Sequence, residues 1–116
     1  MLPADRDALR AASNYVGTVG EETTLDVRVN HIGGPFPSRY GNGERFLFLL
    51  GDENRNAIRV WGARSFEGPG GLTVTPNKGD RFQLRATVKS QKAYTPDGGV
   101  AEKQTELDKA TIIKAL

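Results

Sequence analysis

The sequence predicts a single, mainly β domain of about five strands with a short N-terminal helix. Three observations lead there: a length of 116 residues, several segments in which apolar residues alternate with polar ones, and Gly- and Pro-rich stretches between them. The length suits one hydrophobic core and leaves no volume for a second. Alternation at period two is the pattern of a strand with one face buried.

The elements follow in order. Ala4 to Asn14 reads as a helix of about three turns, with Asp5 and Asp7 near the positive end of its dipole and Leu9 and Ala12 on one face. This extension, residues 1–14, is expected to cap one end of the domain formed by 15–116. In Leu25 to Asn30 the apolar residues Leu25, Val27 and Val29 share a face and mark the first strand. Residues 33–43 (GGPFPSRYGNG) are so dense in turn formers that they read as a long loop carrying Phe36 and Tyr40.

Phe46 to Leu50 is apolar on both faces, the mark of a central strand covered on both sides. A turn over 51–56 leads into Ala57 to Trp61, where Ile58 and Val60 point inward and Arg59 and Trp61 share the other face. Residues 63–79 read as irregular, with Gly68 to Gly71 flexible and Leu72 and Val74 near a short element. The tight turn Lys78-Gly79-Asp80 opens the clearest strand: Phe82, Leu84, Ala86 and Val88 inward, Gln83, Arg85, Thr87 and Lys89 outward. A second loop follows at 94–99, then a final strand in two parts, 103–107 and 110–113, with Asp108-Lys109 as a bulge.

A bent first strand, a hairpin, an irregular crossing and a final hairpin match the order of the five-stranded OB-fold barrel, a Greek key. The phrases Gly17-Thr18-Val19-Gly20, Phe46-Leu47-Phe48 with 51–56 and Trp61, Gly79-Asp80 with Thr87-Val88-Lys89, and Lys103 to Leu107 resemble OB-like domains of phage and bacterial replication or recombination proteins. The resemblance spans residues 15–113, and its most specific string is TVK…Y…KQT.L. The chain departs from it in the Gly-Pro loop at 33–43 and in Asp108-Lys109. The resemblance implies a non-enzymatic module that binds single-stranded DNA or RNA, with replication proteins or flanking domains as further partners. The alternative is a protein-interaction module docking on a helicase, primase or nuclease. A small ligand or sugar in the barrel mouth is a third class open to this fold.

Single-strand binding needs aromatic faces for bases and cations for phosphates. The candidate binding residues are Trp61 and Arg59 on the third strand, Arg45 and Tyr40 around the start of the second, Tyr94 in the last loop, and a cationic ladder of Arg85, Lys89, Lys92 and Lys103 with Arg81 beside it. Each has a plainer reading. Trp61 could pack under 63–79, Tyr94 could anchor its loop, Phe36 fits loop packing better than ligand contact, and a basic stripe commonly serves only to solvate a strand.

Charge is distributed unevenly: four basic against six acidic residues over 1–44, four against three over 45–77, and eight against five over 78–116, for a net +2. The absence of cysteine excludes disulfides, thiol catalysis and Cys-based zinc sites. His31, the single histidine, reads as structural, so no metal or other cofactor is expected. The serines lack a nucleophile elbow and Gly68 to Gly71 lacks the Lys-Ser/Thr of a phosphate loop, which argues against an enzyme. The stretch 1–15 lacks the apolar core of a secretory signal and no apolar run is long enough to cross a membrane, so a cytoplasmic protein is expected.

Overall fold

The computed structural model describes residues 8, 10–37 and 43–116. Of the helix predicted over 4–14, residues 8 and 10–12 are helical and 13–14 are not, while 4–7 and 9 lie outside the described residues. Seven strands follow: β1 (Glu22–Pro37), β2 (Glu44–Asp52), β3 (Ala57–Gly62), β4 (Phe66–Glu67), β5 (Thr73–Val74), β6 (Arg81–Tyr94) and β7 (Glu102–Ala115).

Five of them close a barrel. β1 lies antiparallel to β2 on one side and to β6 on the other, β2 pairs with β3, and β6 pairs with β7. A parallel pairing of β3 with β7, from Ala57 opposite Gln104 to Val60 opposite Leu107, completes the circuit. One parallel pair closing an otherwise antiparallel five-strand ring is the OB barrel arrangement that the strand order implied. The short strands β4 and β5 pair with each other, and β4 meets β7 at Thr111.

Alternation reports the core faithfully. Val27 and Val29 of β1, Phe48 and Leu50 of β2, Ile58 and Val60 of β3, the four even residues 82–88 of β6, and Leu107 and Ile112 of β7 are all buried. Phe66 of β4 packs edge-on against Phe48, ring centroids 4.8 Å apart, so the stretch predicted as irregular contributes to the core. Its glycines form a 3-10 turn at Pro69–Gly71, bonded by Leu72 N–H to the Pro69 carbonyl.

The turns between strands are built by side chains. Asp52 accepts bonds from the backbone N–H groups of Asn54 and Asn56, at 2.9 and 2.8 Å, and from the Asn56 amide at 3.0 Å. This Asx-type cap fixes the β2–β3 hairpin. At the entry to β6, Asn77 N–H donates to the Asp80 carboxylate at 2.8 Å.

The expected bulge at Asp108-Lys109 is present: Arg85 faces Thr111, Thr87 faces Asp108, and Lys109 adopts φ 53°. A second register shift in β6 separates Val88, opposite Leu107, from Ser90, opposite Glu106.

Two boundaries differ from the reading of the sequence. Of the loop predicted over 33–43, residues 33–37 belong to β1, which pairs Phe36 with Arg45 and Pro37 with Glu44, while 38–42 lie outside the described residues. The Gly-Pro run marks an irregularity inside a strand: Gly34 has φ 119°, and a Cβ there would lie 2.9 Å from the Arg45 carbonyl oxygen. Tyr94 is the last residue of β6, opposite Glu102, rather than a loop residue.

Residues 13–17 are sewn to the barrel. The buried Ser13 hydroxyl donates to the Lys103 carbonyl at 2.7 Å and accepts from Ala57 N–H at 2.9 Å, bridging β7 and β3 where their parallel pairing starts. Val16 N–H donates to Thr105 Oγ1, and the Gln91 amide donates to the carbonyls of Val16 and Gly17.

Candidate nucleic-acid interface

Cross-strand register decides which outward side chains meet. On the outside of the barrel, Gly33 of β1, Leu47 of β2 and Trp61 of β3 form one transverse row. His31, Leu49, Arg59 and Glu106 form the next, running from β1 to β7. Leu47 and Leu49 are half-buried within these rows, which explains a central strand that reads as apolar on both faces.

Trp61 is neither buried in the core nor fully exposed. Phe36 meets it edge-on with ring centroids 5.6 Å apart, and the Arg45 guanidinium lies over its ring at 4.8 Å. The cation is attracted to the electron-rich face of the indole, and the edge-on pair suits the aromatic quadrupoles. Phe36 keeps 42% of its surface exposed. The bulge at Gly34 produces this cluster by carrying Phe36 back over the sheet to lie opposite Arg45.

Arg59 shares the second row. Its Nε is buried without an acceptor among the described residues, and neither Arg45 nor Arg59 forms an ion pair among them. Glu106, its cross-strand neighbour, pairs instead with Lys89 at 3.4 Å. Lys89 thus borders this face with its charge already engaged.

The remaining candidates lie elsewhere. Arg85 sits between Thr24 and Thr111 on the β1–β6–β7 side of the barrel, with Glu22 at 3.9 Å, so it does not join Trp61. Lys92 and Tyr94 lie on the β6–β7 hairpin, opposite Gln104 and Glu102. The register shift after Val88 returns both to the outward face. Tyr94 is 52% exposed. Lys103 lies over the Tyr15 ring at 5.6 Å, tied to the N-terminal segment rather than to the ladder. Tyr40 lies outside the described residues.

Two further residues lie on this face. Phe36 reads as loop packing because the bulge that repositions it leaves no periodic signature. His31 reads as structural, yet its side chain is exposed on the outer face, with Nε2 close beside Gly33. A glycine inside a pairing strand was the available signal.

The face differs from the far end of β2. There an open groove of about 500 Å³ is lined by Asp26, Asp52 and Glu53 among others, and its acidic charge would repel a polyanion. Among the described residues, no group of three or more His, Asp or Glu could hold a metal ion, and no helix is long and apolar enough to cross a membrane.

No family model, curated protein or solved structure matches this chain. The OB-like architecture therefore rests on strand order and closure, and the reading of its outer face on the residues placed there.

Proposed function

We propose that the outer face of β1–β3 binds single-stranded nucleic acid, without catalysis, by stacking bases on Trp61 and Phe36 while Arg45 and Arg59 hold the phosphates. The observation that carries this reading is the Trp61–Phe36–Arg45 cluster: two aromatic rings held together outside the core with a cation that has no ion-pair partner among the described residues. Stacking is indifferent to base identity because every base presents a π-face, so the expected ligand is an unpaired strand with little sequence preference. Lys92 extends the positive surface toward Tyr94, while Lys89 is engaged by Glu106. With a net charge of only +2, affinity is expected to be modest and sensitive to salt.

The test is titration of a labelled oligonucleotide by fluorescence anisotropy with the wild-type chain, Trp61→Ala and Arg45→Ala. Loss of one stacking platform should weaken binding by about 1–3 kcal/mol, roughly 5- to 150-fold, with the melting temperature little changed. Unaltered binding by Trp61→Ala together with a lower melting temperature would assign the indole to packing instead.

A further inference from the structure

Strict alternation along β1 would turn His31 inward, because Val29, two residues before it, is buried in the core. The structure turns it outward. The register shifts between Val29, opposite Leu50, and His31, opposite Leu49, so that Asn30 and His31 together span one step of β2. An extra residue of this kind re-aims the side chains around it. Asn30 and His31 are both exposed, and Ile32 returns to the inner side opposite the buried Phe48.

The shift sets the single histidine of the chain in the row His31–Leu49–Arg59, on the outer face that carries Trp61 and Arg45. From His31 to Arg59 is two strand spacings, about 10 Å. His31 forms no ion pair among the described residues. The charges that share its face are Arg59 in its own row, Arg45 two rows along, Arg28 opposite Gly51 in the adjacent row, and Glu106 at the far end of its row, engaged by Lys89. The 77–80 turn, bonded to the backbone of Val29, adds Lys78 and Asp80 near this part of β1, the Asp80 carboxylate accepting from Asn77 N–H. The row itself thus offers an incoming anion two nitrogenous side chains on either side of Leu49.

We propose that His31 is a further phosphate contact of this face, made by the protonated imidazole, so that strand binding tightens as the pH falls. The inference rests on the nucleic-acid reading of this face and adds its regulation by protons. Histidine changes charge between about pH 5 and 8, and the imidazolium donates from both ring nitrogens where the neutral ring donates from one. The linkage is reciprocal: a bound phosphate favours the protonated ring by the same free energy with which the proton favours the phosphate.

The test is anisotropy titration of a labelled single-stranded oligonucleotide at about pH 8 and about pH 5.5, the two sides of histidine's charge change, with the wild-type chain, His31→Gln and His31→Lys. The wild type should bind about fivefold more tightly at the lower pH, the effect of one solvent-exposed charge contact. Its plot of log affinity against log salt should steepen there by about 0.7, one further phosphate contact. His31→Gln should keep the wild type's weaker affinity at both pH values. His31→Lys, charged at both, should show the tighter affinity at both. The chain has no second histidine to produce the same profile. A purely structural imidazole would instead lower the melting temperature of His31→Gln and leave pH profile and salt slope alike in all three proteins.

A wild-type affinity that does not change with pH, or an equal change in His31→Gln, would overturn the contact while leaving the wider face intact. A wild-type chain that fails to bind any single strand at either pH in low salt would overturn both.

Discussion

Replacing Ser13 by alanine should cost more than any other single hydroxyl in the described chain, because this one clasps the barrel at its closing pair. Its oxygen joins Lys103 of β7 to Ala57 of β3, and the side chain is 2% exposed. Alanine removes two part-buried hydrogen bonds and leaves the Lys103 carbonyl and the Ala57 N–H without this partner, for an expected loss of about 2–3 kcal/mol. At about 4 °C per kcal/mol for a domain of this size, the melting temperature should fall by about 8–12 °C. Thermal unfolding followed by circular dichroism measures it. A fall of less than about 2 °C would refute the clasp and imply that β3 and β7 hold together without residues 13–17.

Other perturbations probe the hairpin, the bulge and the charge of the outer face. Asp52→Ala removes the acceptor of three turn bonds and should lower stability by about 1–2 kcal/mol in denaturant titration. Gly34→Ala places a Cβ against the Arg45 carbonyl at positive φ and should lower stability by more than about 1 kcal/mol, whereas Gly33→Ala should be neutral or stabilising in the same assay. Glu106→Gln frees Lys89 and removes a carboxylate beside Arg59, so oligonucleotide affinity should rise. The plot of log affinity against log salt should also steepen by about 0.7, one further phosphate contact. An unchanged slope would mean that Lys89 takes no part in binding.

Much of the barrel could be read from alternation. Val27, Val29, Ile58, Val60 and the even residues 82–88 follow period two because one face of each strand is dry, and the structure buries all of them. Asp108-Lys109 was readable as a bulge because it interrupts an otherwise continuous pattern. The failures have a common cause in long-range register. Gly33 to Pro37 has the composition of a loop, yet it pairs with β2 across a bulge, and no local pattern announces the partner.

The site shows the same division. Arg59 and Trp61 were placed on one outer face by counting along a single strand. Their meeting with Arg45, and the approach of Phe36 and His31, depend on how three strands align. The cationic ladder was legible as a series along one strand, but Glu22 and Glu106, brought in from β1 and β7, neutralise two of its members.

The central claim concerns Trp61, the single tryptophan of the chain and so its own reporter. Its emission should be followed during titration with an unlabelled single-stranded oligonucleotide across a salt series. Quenching that saturates at low salt, with an affinity that falls steeply as salt rises, is the expected result. Unchanged emission with no binding at low salt would contradict the assignment of this face to nucleic acid.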